Sequence, residues 1–240
     1  SQAIQDLRVP STIHDVIMAR VDALTHGAKT VIQTGSVIER EFSHELLKHA
    51  MEIPERELIS CLSALKDAEL IYERGLYPQS TYIFKHALTK EVVYDSILDT
   101  KKKALHGKIG RSIEKLYHSS VDEHYAVLAE HFITAEDYEK GADYMWRAGR
   151  KAEKAGSLSE SCIHAQKRVA CLEKLPQTEA TVKILIDART ALGLYLFQLF
   201  RIAEAKEAVE PIIEPGLKLN YKKRIAQIYT IIGTYECFVL

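Results

Sequence analysis

His86 stands between Phe84 and Leu88, where a β-type segment, Thr81–Lys85, hands over to a helical pattern. An imidazole at such a junction can donate to an anionic oxygen and titrates near neutral pH; the plainer alternative is a histidine bridging strand and helix. The other concentrated charge is Lys101-Lys102-Lys103 with Lys108 and Arg111. Its simplest reading is a solvated helix face, although three lysines at a helix start slightly oppose the helix dipole, and contact with an acidic surface or with phosphates is the alternative. His124 and His131 are seven residues apart and could share a face, but no HExxH and no convergent cysteine pair accompanies them, so no metal site is expected. None of the eleven glycines belongs to a G-x-x-x-x-G-K-[ST] loop; His106-Gly107-Lys108-Ile109 is only a superficial echo. No Ser/His/Asp or Cys/His set carries a local signature, so no catalytic residue is assigned and the chain is read as not an enzyme.

The elements that must position these residues begin with two β-type segments, Leu70–Arg74 and Thr81–Lys85, flanking a connector that holds Gly75 and Pro78. Thr12 with Asp15 makes a capping-box start for a first helix carrying Ile13, Val16, Ile17, Val21 and Leu24. Thr25-His26-Gly27 breaks it, and helical patterns follow over 28–38, from a Ser43 cap to about Met51, and over 55–68 behind Pro54. The last carries its buried stripe on Leu58, Ile59, Leu62 and Leu65. Three such helices followed by one β-hairpin give the order of a winged-helix module.

From Thr100 the patterns are helical, near 100–118, 122–133, 136–155, 158–174, 177–199, 202–214 and 221–240, with short breaks between them. Thr190-Ala-Leu-Gly193-Leu-Tyr195 recurs forty residues later as Thr230-Ile-Ile-Gly233-Thr-Tyr235. Gly193 is followed twelve residues on by Ala205 and sixteen on by Val209, small or slim residues that let two helices cross closely. This resembles a tetratricopeptide repeat, whose period is about 34 residues, in a longer and irregular form. The fold class expected is therefore mostly α: a winged-helix module with one β-hairpin, followed by a tetratricopeptide-like α-solenoid.

The composition excludes other classes. Of 240 residues 47% are hydrophobic and 27% charged, with a net charge of −1, so no bulk attraction to nucleic acid or membrane is expected. From Gly27 to Asp99 there are eight basic and twelve acidic residues, a field that repels DNA. The longest strongly apolar window, Ala191–Phe200, is too short to span a bilayer, and the scattered Cys61, Cys162, Cys171 and Cys237 suit a reducing compartment, so a cytoplasmic location is expected. Ser1 stands where Met would be expected, and the apolar pattern runs on through Tyr235–Leu240, which reads as a piece of a larger protein.

Val9–Leu24, Val31–Phe42, the string YERGLYP, the run from Tyr82 through Phe84-Lys85-His86-Ala87-Leu88 to Tyr94, and Leu128-Ala129-Glu130-His131-Phe132 with Ala148-Gly149 carry a resemblance. Together they resemble the region that follows the ATPase core in bacterial signal-transduction ATPases with numerous domains, the STAND class. The nearest group is the one in which an adenylate/guanylate cyclase domain precedes an AAA-type ATPase and a tetratricopeptide tail. The resemblance implies that residues 1–25 end an ATPase lid, that 26–99 form the winged helix, and that 100–240 form helical repeats. It implies that His86 contacts nucleotide phosphates, ATP or ADP, bound by an ATPase domain of the same parent chain. It implies a regulatory role in which the repeats bind a protein or peptide, with movement hinged near Leu98–Lys103. Two rival expectations are a DNA-binding winged-helix transcription regulator and a plain tetratricopeptide scaffold.

Overall fold

The computed structural model describes residues 11–239, so residues 1–10 of the expected lid segment, Val9 and Pro10 among them, lie outside the described residues. The chain divides into two compact units, Ser1–His118 and Ser119–Leu240. It is mostly helical, with one small three-stranded antiparallel sheet.

The first unit opens with α1 (Ser11–Asp22), so Thr12 lies inside the helix rather than at its cap. Thr25 caps α2 (His26–Ile38), its hydroxyl accepting from the Ala28 amide at 3.3 Å. A three-residue strand follows, β1 (Glu41–Ser43), which the expectation of one hairpin omitted. Ser43 ends that strand and also caps α3 (His44–Met51), accepting from the Leu46 amide at 3.1 Å. Next come α4 (Glu55–Asp67) and the expected hairpin, β2 (Ile71–Arg74) and β3 (Thr81–Phe84). The strand order is β1-β3-β2, with Phe42 opposite Tyr82 and Ile71 opposite Phe84.

Phe84 and Phe42 lie in the core with the α4 stripe of Leu58, Leu62 and Leu65, all essentially without exposure, and β3 is buried on both faces from Tyr82 to Phe84. Ile59, expected in that stripe, is exposed. Phe42 fits because α2 carries Gly35, where a Cβ would stand 2.7 Å from two ring carbons of Phe42. The unit ends with α5 (Ala87–Asp95) and α6 (Asp99–Leu116). Helix α6, whose residues the sequence pattern groups with the helical repeats beyond Asp99, packs on α2 and α3 within the first unit.

The second unit is a succession of helices: α7 (Tyr125–Thr134), α8 (Tyr138–Lys154), α9 (Leu158–Leu172), α10 (Glu179–Gln198), α11 (Ile202–Val209), α12 (Ile213–Lys218) and α13 (Lys222–Val239). The α12 segment falls in a stretch expected to be a break, because Pro215 and Gly216 read as punctuation. Consecutive helices pack on one another, and crossings occur where side chains are small. At Gly193 a Cβ would lie 2.5 Å from Val209 Cγ1 and 3.1 Å from Ile231 Cδ1, so α10 meets α11 and α13 there. On α8, the Gly149 carbonyl accepts from the Ser161 hydroxyl at 3.3 Å, another close approach.

Cys61 is buried in the first unit and Cys162 and Cys171 in the second, whereas Cys237 is exposed. Burial raises the first three thiol pKa values, that of Cys171 to about 11. No helix among the described residues is long and apolar enough to cross a membrane.

Candidate functional site

His86 sits at the N-cap of α5 in extended backbone (φ −133°, ψ 141°), its carbonyl accepting from the Thr89 amide at 3.0 Å. Its side chain makes no capping hydrogen bond and is exposed, while Phe84 two residues earlier is fully buried. The strand end is thus anchored and the imidazole is left facing outward, which is not the bridging role of a purely structural histidine. Neighbouring Lys85 is engaged by Glu69 at 3.2 Å, so His86 is available without a second free cation beside it.

A different histidine is built into the first unit. His44, at the start of α3, is 2% exposed, and its Nε2 lies 2.6 Å from Glu55 Oε1 at the start of α4. Its Nδ1 is 3.4 Å from the Tyr82 hydroxyl, which donates to Glu73 on β2 at 3.3 Å. Lys48 ion-pairs with the other Glu55 oxygen, and the Tyr77 hydroxyl donates to Glu55 at 3.2 Å. Hydrogen bonding from Lys48, then from His44, lowers the Glu55 pKa to about 2. One polar net therefore joins α3, α4 and the hairpin. Sequence reasoning missed it because its members are far apart in the chain and have no motif.

The basic segment is also engaged internally. Lys101 donates to Gln33 of α2 at 2.7 Å, Lys102 lies 4.8 Å from the Tyr94 ring centre, and Lys108 pairs with Glu52 at 3.3 Å. The expected solvated face is half-buried, and the segment expected to hinge is the first turn of a packed helix. His106 on the same helix is buried beside the Tyr94 hydroxyl (3.1 Å), and burial pushes its pKa down to about 4. Of the histidines considered for a metal, His131 is buried on α7 and His124 stands at that helix's start; among the described residues no three His, Cys, Asp or Glu side chains converge as a metal site.

The second unit carries the larger concavity. A groove of about 510 Å³ is walled by α8 (Trp146, Arg150, Glu153) and α10 (Asp187, Ala191, Tyr195), with α9 (Ala165, Arg168) between them and Arg224 of α13 at one side. A second hollow of about 590 Å³, lined by Leu172, Leu175, Pro176 and Ile184, shares Trp146 and Arg168 with the first. Arg150 donates to Glu153 at 2.6 Å, and Arg224 donates to Asp187 at 2.5 Å, with Tyr221 adding a 3.0 Å bond to the same oxygen. Burial and the Glu153 carboxylate raise the Tyr195 pKa. The first hollow is lined largely by charged and polar side chains, the second mainly by apolar ones with Glu139 and Asp143 at its edge.

Comparison with protein-family models, curated proteins and solved structures finds no match.

Proposed function

We propose that this chain is a regulatory, partner-binding region of a multidomain signalling ATPase: a winged-helix element at residues 26–99 followed by tetratricopeptide-like repeats that hold a protein or peptide. The groove of the second unit is the observation that carries this reading. Support for the winged-helix part comes from the succession α2, β1, α3, α4 and the β2–β3 hairpin, and support for the repeats from the Gly193 and Gly149 crossings. The exposed His86 at the strand–helix junction suits a contact to nucleotide phosphates held outside this unit.

A protein partner is favoured over DNA by the surface of α4. Its Lys66 is taken by Glu73 at 2.6 Å, and the exposed Arg56 stands beside exposed Glu57. Duplex binding needs cations in excess, and this helix offers none. The test is nucleotide release and turnover by the full-length parent protein, with and without residues 1–240, and with His86→Ala. A changed ADP release rate on deletion and on substitution supports the coupling. Unchanged rates in both would leave a binding scaffold without nucleotide coupling.

A further inference from the structure

Two hollows of the second unit meet at one pair of side chains. Trp146 of α8 and Arg168 of α9 line both the first, of about 510 Å³, and the second, of about 590 Å³, and so form the wall between them. Among the described residues the Arg168 guanidinium makes no hydrogen bond and no ion pair. It lies 5.9 Å from the centre of the half-exposed Trp146 ring, at the outer limit of about 6 Å for a cation over an aromatic face. Its nitrogens are not among the fully buried polar atoms, so water reaches the charge. Other arginines of the unit are held firmly. Arg189 donates to the Ala208 carbonyl at 2.9 Å and pairs with Glu173, and Arg224 pairs with Asp187 at 2.5 Å.

The carboxylates whose fields reach Arg168 stand on opposite sides of it. Asp187 lines the first hollow and is held by Arg224; Asp143 lines the second and is held by Arg147 at 2.9 Å. Neither side therefore fixes the guanidinium, and leaving the ring costs it one weak contact that water on either side replaces. We infer that Arg168 is a movable partition: on the Trp146 ring it divides the two hollows, and off the ring they join in one longer groove. The stem has the freedom for this move, since side chains open to solvent change rotamer in picoseconds to nanoseconds. The longer groove is the form open to a protein or peptide, and only this last step rests on the partner-binding reading.

Trp146 is the chain's single tryptophan, so the partition has its own reporter. The experiment uses the whole 240-residue chain and two readouts, acrylamide quenching of Trp146 emission and NMR relaxation of the arginine side-chain Nε–H groups. Arg168→Ala is expected to raise the quenching constant about twofold, because it uncovers one of the two ring faces. Arg224→Gln releases Asp187, which should draw Arg168 off the ring and raise the constant to the same level; adding Asp187→Asn should return it to the wild-type value. In the wild type the Arg168 order parameter is expected below about 0.6, the flexible range, and those of Arg189 and Arg224 above it. A constant unchanged by Arg168→Ala or by Arg224→Gln overturns the partition, as does a rise that Asp187→Asn does not reverse. An Arg168 order parameter equal to that of Arg224 overturns it too, and this wild-type measurement decides alone if circular dichroism shows a variant to have lost its fold. No partner enters either readout, so failure here leaves the partner-binding reading to its own test of nucleotide release.

Discussion

In the first unit buried His44 is met by Glu55 and buried Tyr82 by Glu73, each partner standing on a different element, and Lys48 and Tyr77 close on Glu55. In the second unit Arg224 reaches across helices to Asp187 and Arg150 pairs with Glu153 of its own helix, whereas half-buried Arg168 makes its close contact with the Trp146 ring. A polar net that crosses elements holds three of them in one arrangement, whereas a half-buried charge without an ion pair adds little to the packing of its helices. The two units thus place comparable side chains differently, in a cross-element polar net in one and along a groove between helices in the other.

The strongest way to break the comparison lies within the second unit, at two glycines that the sequence presents as equivalents. Gly193→Ala puts a Cβ 2.5 Å from Val209 Cγ1, a stiff β-branched side chain, and is expected to lower stability by about 2 kcal/mol. Gly233→Ala has no atom within 4 Å and is expected to raise it by about 0.5–1 kcal/mol, the ordinary helix preference for Ala. Urea unfolding followed by Trp146 emission reads both; the same sign in both would refute the close crossing at Gly193.

Acid tests the first unit. His106 is held neutral, with its folded pKa about 4 against 6.5 when exposed. An unfolded state that binds the proton first makes this contribution fully present above about pH 6.5 and progressively lost as pH falls toward 4. A loss on the order of 2 kcal/mol is expected across that window. It should appear in the circular-dichroism transition that Trp146 does not follow, and His106→Leu should flatten it. An unaltered slope in that variant would show that another group carries the proton.

The smallest effect sharpens the contrast most. Arg168→Leu is expected to stabilise the second unit by up to about 1 kcal/mol, since no partner is left behind. Arg224→Leu is expected to destabilise it by about 1 kcal/mol, because Asp187 loses its ion pair. Equal destabilisation in both variants, again by Trp146-monitored urea unfolding, would mean that Arg168 is held by its surroundings after all.

How legible these features were depends on the range of the forces involved. The hairpin was found within a residue at each end because Gly75 and Pro78 punctuate it and the flanking segments are rich in β-type residues. The approach of Gly193 to Ala205 and Val209 could be anticipated from a local spacing of small residues. β1 was not, since three residues cannot display alternation and Ser43 already read as a cap. Neither was Arg168, which sits in a charged stretch with Lys167 and is distinguished only by what α8, α10 and α13 leave unpaired around it. His86 was visible as a candidate because a strand-to-helix junction is a local feature, and its exposure depends only on the turn that carries it.

The placement of the four thiols gives the molecule its own clock. A small alkylating reagent under native conditions should modify Cys237 at once, Cys61 only when the first unit opens, and Cys162 and Cys171 only when the second does. The reagent reacts with the thiolate, so the raised pKa values slow capture further and make each tag a record of true opening rather than of surface breathing. Peptide masses from one timed reaction would then rank the two units by lifetime.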